Sequence, residues 1–87
     1  MELYIITFKH GNYAVATFNK LTGYGINNLK LAQTPFSIKS ECDMCIKAFN
    51  REAMNAVLRE GTNNYSIDNV YSAINKNGSY IYKLLQI

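Results

Sequence analysis

The chain has one proline, no tryptophan, few charged residues and no long apolar segment. Only 17% of its 87 residues are charged while 48% are hydrophobic, which excludes the composition of a disordered chain. No apolar run approaches the roughly 20 residues that a membrane-spanning helix needs, and the N-terminus lacks the features of a signal peptide. We therefore expect a cytoplasmic protein with no membrane partner, folded as a single domain over 1–87.

Other shortages exclude classes of function. The net charge is only +3, and the 9 Lys and Arg residues are spread along the chain, so no basic patch predicts a nucleic-acid partner. No carboxylate pair and no Ser, His and Asp set has a spacing typical of hydrolases, so a carrier or binding module is favoured over an enzyme. With 2 cysteines and 1 histidine one chain has too few soft ligands for a structural zinc site of its own, although a site shared across a dimer would need only the two cysteines of each chain. No metal or cofactor is predicted.

Three stretches predict strands in the first part of the chain. A β-branched and aromatic run at 3–8 is typical of a buried strand. Alternating side chains predict two more strands, at 26–33 and 44–49. Because Pro35 cannot donate to a strand ladder, the second strand must stop before it.

Apolar residues at helical spacing predict two helices. The first follows an N-cap at Asn12, and Gly23 or Gly25 ends it. Its apolar stripe consists of Ala14, Val15, Phe18 and Leu21. The second helix begins at the capping residue Asn50 and ends at Gly61.

The last third of the chain is ambiguous, because helix and strand patterns overlap between 65 and 74, and we predict a strand. Asn77-Gly78 is a hairpin signal before the strand-like segment 79–85. The predicted class is α+β: a ferredoxin-like βαββαβ domain with an antiparallel sheet, both helices on one face, and a C-terminal hairpin extension at 74–87. This fold hosts unrelated chemistries, so the prediction of function depends on the site.

The segment 34–45 holds the only proline and both cysteines, Cys42 and Cys45. In the predicted topology it connects the second and third strands, so we expect an exposed connection at one end of the sheet. Nearby Lys39 and Lys47 favour the reactive thiolate. The acidic neighbours of Cys42, Glu41 and Asp43, oppose it.

Cys42 and Cys45 form a Cys-x-x-Cys, which admits a redox interpretation. In an extended chain, residues three apart have Cα atoms roughly 10 Å apart, beyond the roughly 7 Å limit for a disulfide. A dithiol switch would therefore need a turn between them. Cys45 lies inside a strand pattern, which favours a packing role.

A first strand that ends at Phe8, a helix that closes on Gly25-Ile26, and the pattern Thr34-Pro35-x-x-Ile38-x-Ser40-x-Cys42 follow one another in this chain. The combination resembles the selenium/sulfur carrier protein-like family of small bacterial domains, over residues 3 to about 72. Departures from the family pattern are Phe36 in place of Arg, Lys39 in place of Ser, and Asp43 in place of Gly.

The resemblance implies a carrier in which Cys42 takes up sulfur or selenium. Thr34, Pro35 and Ser40, which match the family pattern, are the implied binding residues around it. Lys39 departs from the pattern and is a binding candidate on chemical grounds alone, as a cationic donor to an anionic sulfur. The implied partner is a sulfurtransferase-like protein or another protein of selenium metabolism.

Cys45 and His10 are secondary candidates. His10 lies between the first strand and the first helix, where anions often meet a helix N-terminus, but a solvated loop histidine is the simpler interpretation. Two other functions stay open: a non-catalytic, ligand-binding or regulatory oligomeric module, and a structural protein that pairs edge to edge through its C-terminal strand. A homodimer fits either.

Overall fold

The computed structural model describes residues 3–35, 38, 44–63 and 67–85. The elements in these residues are β1 (Tyr4–Phe8), α1 (Gly11–Gly23), β2 (Leu29–Gln33), β3 (Met44–Ala48), α2 (Arg51–Asn63), β4 (Ile67–Lys76) and β5 (Ser79–Leu85). The strands form one 5-stranded sheet in the order β2-β3-β1-β4-β5, in which all neighbours are antiparallel. The predicted α+β class is confirmed, with two helices and an additional C-terminal strand.

The main core lies between the helices and one face of the sheet, which we call the helix face. Every residue of β1 is buried, because this strand sits between β3 and β4. Its alternation turns Tyr4, Ile6 and Phe8 towards both helices. The buried residues of this cluster are Tyr4, Ile6, Phe8, Ala14, Leu21, Ile46, Ala48, Ala53, Met54, Val57 and Val70.

The opposite face of the sheet, which we call the second face, is also apolar at its centre. Ile5, Cys45 and Ala73 form a separate buried cluster there. Since neither helix reaches this face, its cover comes from partly buried side chains: Leu3, Ala32, Ile38, Tyr71 and Tyr82. The second face therefore depends on Ile38, from the segment between β2 and β3, and on Tyr82 from β5.

Helix α1 begins two residues earlier than the pattern predicts. His10, in an extended conformation, is the N-cap, so the prediction of Asn12 as the cap is wrong. The His10 carbonyl accepts a 3.0 Å hydrogen bond from the Tyr13 N–H and thereby closes the first turn without a capping side chain. The glycine stop is confirmed, since α1 ends at Gly23 and Gly25 follows in the left-handed region with a φ of 84°.

Helix α2 begins as predicted. The Ala53 N–H donates a 2.7 Å hydrogen bond to Asn50 Oδ1, which is the side-chain cap that the sequence predicts. The helix continues to Asn63, two residues beyond the predicted end at Gly61. Lys20 Nζ lies 2.6 Å from Glu60 Oε1 and joins the two helices, and the Glu60 hydrogen bond and charge raise the pKa of Lys20.

The C-terminal hairpin is confirmed. The φ values of Asn77 and Gly78 are 56° and 85°, which is the conformation of a type I′ turn. Strand β4 pairs with β1 from Ile67 to Ser72 and with β5 from Val70 to Lys76. Strand β5 thus lies at one edge of the described sheet and β2 at the other.

Candidate functional site

The segment that connects β2 to β3 begins at one end of the sheet. Gln33 and Met44 pair directly across the two strands, so the residues between them form the connection. The structure describes three of them: Thr34, Pro35 and Ile38. The predicted site residues Lys39, Ser40 and Cys42 lie outside the described residues.

The first part of the connection packs on the protein rather than projecting from it. The Ile38 N–H donates a 3.0 Å hydrogen bond to the Pro35 carbonyl, which turns the chain. Ile38 then packs against the buried cluster of the second face. The expectation of an exposed connection is wrong for Thr34, which is only 5% exposed.

Thr34 carries an unusual hydroxyl. Its Oγ1 is buried and has no hydrogen-bond partner among the described residues. A buried hydroxyl without a partner costs roughly 1–3 kcal/mol, so such groups are rarely left unsatisfied. The described residues therefore leave one buried hydrogen-bonding group at the start of the connection.

Cys45 belongs to the interior of the protein. Its side chain is fully buried on the second face, between Thr7 of β1 and Ala32 of β2 in the register of the sheet. Tyr82 packs against the same cluster. Burial raises the pKa of the Tyr82 phenol, and the charges of Tyr80 and Cys45 raise it further. The burial of Cys45 favours the packing role over that of an accessible thiol.

His10 and the N-terminus of α1 lie at the same end of the sheet as the connection. Thr7 pairs with Cys45 and Gln33 pairs with Met44, so β1 and β2 both end where β3 begins. The His10 side chain is exposed, with its ring centroid 5.5 Å from that of Tyr13. The first turn of α1 has no acidic residue, and the side chain of its N-cap residue makes no capping hydrogen bond, so its positive dipole end is not compensated by these residues.

A second candidate site was not found by sequence reasoning. A cleft of about 500 Å³ lies at the opposite end of the sheet, between the α1–β2 connection and α2. Its polar lining consists of Asn27, Asn28, Asn50, Glu52, Asn55 and Arg59. The lining comes from two segments that are far apart in the sequence, 26–28 and 50–59, and the one signal of local geometry is the left-handed backbone of Asn28, with a φ of 64°.

The described residues contain neither a cluster of metal ligands nor a membrane-spanning helix. Among the described residues, no three His, Cys, Asp or Glu side chains lie close enough together to hold a metal ion. None of the helices in this part of the chain has the length and apolar character required to cross a membrane.

Comparison with known proteins identifies the family of the chain. Neither the curated proteins nor the solved structures include a significant match. The model of the family described as "Putative Se/S carrier protein-like" matches residues 3–72, a range that contains β1 to β3, both helices and the whole Thr34–Cys45 segment. The chain belongs to this selenium/sulfur carrier protein-like family.

Proposed function

We propose that this protein is a sulfur or selenium carrier that presents Cys42 to a partner protein. The observation that carries the proposal is the family match, which includes the Thr34-Pro35 to Cys42 pattern. The other thiol, that of Cys45, is fully buried. The partner is a sulfurtransferase-like protein or another protein of selenium metabolism, acting in the cytoplasm, where thiols are kept reduced.

The proposed transfer is a thiol exchange that needs no external oxidant or reductant. The Cys42 thiolate attacks the outer sulfur of a donor persulfide, R–S–SH, and a new S–S bond forms at Cys42. The S–S bond of the donor breaks, and the donor leaves as the thiolate R–S⁻ with the electron pair of that bond. The product is a Cys42 persulfide, which passes its outer sulfur to an acceptor thiol by the same exchange.

Groups near the connection support a role for an anionic sulfur. The N-terminus of α1 supplies a positive dipole end and uncapped N–H groups at the same end of the sheet. The Thr34 hydroxyl supplies a donor at the start of the connection. Lys39 and Ser40 are the proposed donors within the connection itself, and the exposed His10 side chain is a further polar group at this end of the sheet.

We further propose that the fold is ferredoxin-like. The support is the order of the first four strands, β2-β3-β1-β4, with antiparallel neighbours and one helix after each of β1 and β3. In this arrangement the β2–β3 connection and the N-terminus of α1 share one end of the domain. Strand β5 is an addition to it.

The polar cleft favours a second candidate function, a small-ligand-binding module. Arg59 and Glu52 place opposite charges around the asparagine amides, a lining suited to a small polar molecule. Because the cleft lies at the other end of the sheet from the connection, Cys42→Ser should leave such binding intact.

Peptide mapping by mass spectrometry tests the carrier function. After incubation with a small-molecule persulfide donor, we expect the Cys42 peptide to gain the mass of one sulfur atom and the Cys45 peptide to remain unmodified. Reduction with dithiothreitol should remove the added sulfur. No gain on Cys42, or an equal gain on an unrelated protein with an exposed thiol treated in parallel, would contradict the proposal.

A further inference from the structure

Strand β5 exposes apolar side chains at the edge of the sheet. Tyr80, Ile81 and Leu84 are 48%, 52% and 51% exposed, and Lys83 is the only charged residue of the strand. Protein edge strands normally carry charges, prolines or bulges that prevent pairing with another chain. The other edge, β2, differs from β5 because its exposed side chains, Lys30 and Gln33, are both polar.

The turn determines which backbone groups of β5 face outward. In a two-residue hairpin the closing pair, here Lys76 and Ser79, is hydrogen-bonded, and hydrogen-bonded and non-hydrogen-bonded pairs then alternate along the ladder. The residues at odd positions of β5 therefore direct their N–H and C=O groups at β4. Tyr80, Tyr82 and Leu84 direct theirs away from it, towards the edge.

We propose that β5 pairs antiparallel with β5 of a second copy of this chain, about a twofold axis at Tyr82. This register overlaps the full length of Ser79–Leu85 on both copies. In this register Tyr82 pairs with Tyr82 of the second copy, and Tyr80 of each copy pairs with Leu84 of the other. All the outward N–H and C=O groups of β5 therefore gain partners.

Charge and side-chain pattern select this register and this partner. A twofold axis at Lys83 would place two lysines directly opposite each other, which is destabilising, whereas the axis at Tyr82 places each Lys83 opposite Ile81. The aromatic and apolar residues Tyr80, Tyr82 and Leu84 are symmetric about that axis and meet on one face. Pairing of β5 with the polar edge β2 of another copy would instead form open-ended chains.

The interface is independent of the carrier chemistry and lies beyond the family match, which ends at residue 72. It would join two sheets into one and place the two β2–β3 connections on separate domains.

Light scattering of the purified protein tests the proposal. We expect a mass of about twice the 9.9 kDa of one chain. Leu84→Pro removes an N–H that faces the edge and not β4, so it should leave the circular dichroism spectrum unchanged while weakening dimerisation by about tenfold or more. Leu84→Ala keeps that N–H and should remain more dimeric than Leu84→Pro at the same concentration.

Cross-linking tests the register in a Cys42→Ser, Cys45→Ala background, because Tyr82 packs against the cluster that contains Cys45. Tyr82→Cys should form a disulfide-linked dimer under mild oxidation, because paired residues in a hydrogen-bonded position have Cα atoms about 5.5 Å apart. Ser79→Cys is the matched control and should not cross-link, because its two copies lie at opposite ends of the ladder. A monomeric wild-type protein, assemblies that grow beyond a dimer with concentration, or equal cross-linking of both variants would overturn the proposal.

Discussion

Replacement of Cys42 by serine is expected to abolish the acceptance of sulfur from a persulfide donor. Serine keeps the size of the side chain but cannot form the S–S bond of the proposed exchange. We expect the incorporated sulfur to fall to the level of an untreated sample. The circular dichroism spectrum and the thermal unfolding curve should stay close to those of the wild type. Mass spectrometry of the intact protein after donor treatment measures the incorporated sulfur.

Cys45→Ala is the matched control for that experiment. Cys45 is fully buried, so the substitution removes buried volume and is expected to cost about 1 kcal/mol of the free energy of unfolding. Sulfur incorporation should remain at the wild-type level. If a folded Cys45→Ala variant lost incorporation while Cys42→Ser retained it, the sulfur acceptor would be Cys45 and the proposal for Cys42 would be wrong.

Phe8→Ala is expected to have the largest effect on stability. Phe8 is 1% exposed and is the largest fully buried side chain of the described core. Truncation of a buried phenylalanine costs about 3–5 kcal/mol, because the transfer free energy is lost and a cavity remains. A domain of this size has a free energy of unfolding of only about 4–13 kcal/mol, so the variant should be close to unfolding. Urea titration at a fixed protein concentration measures the loss.

Phe49→Ala provides the comparison at an exposed phenylalanine. Phe49 is 38% exposed, so the same substitution should cost about 1 kcal/mol or less. Similar losses at both positions would mean that Phe8 is not the core residue that the structure indicates.

The strands were predictable because their signals are local. The β-branched run of β1 and the alternation in β2 and β3 specify strands whatever they pack against. Asn77-Gly78 likewise determines its own turn, because both positions need a positive φ. This signal resolved the ambiguous segment before it in favour of the strand β4.

The details of the helices were less predictable, because residue type and position on the helix surface can disagree. Val15 was counted in the apolar stripe of α1 and is 36% exposed, whereas Thr17 is 6% exposed. Thr17 lies three residues after Ala14 and four before Leu21, which places all three on the buried face. The methyl group of Thr17 suits the buried face, but threonine is classed as polar and is therefore left out of the predicted apolar stripe.

The candidate site was predictable only in part. The sequence indicated the connection that begins at Thr34 and Pro35, but not the apolar second face that Ile38 covers. The assignment of the reactive thiol to Cys42 stays a prediction, because Cys42 lies outside the described residues. That face depends on side chains from β1, β3 and β4, which are brought together only by the order of the strands. The polar cleft beside Arg59 was missed for the same reason.

The central claim is that Cys42 is the accessible, reactive thiol of this chain, and the reaction rates of the two thiols test it most directly. Folded protein is treated with iodoacetamide at neutral pH, and alkylation of the Cys42 and Cys45 peptides is followed over time, with and without urea. We predict rapid alkylation of Cys42 in the folded protein and protection of Cys45 until the protein unfolds. Protection of Cys42 to the same degree as Cys45 would contradict the carrier function and favour the ligand-binding module.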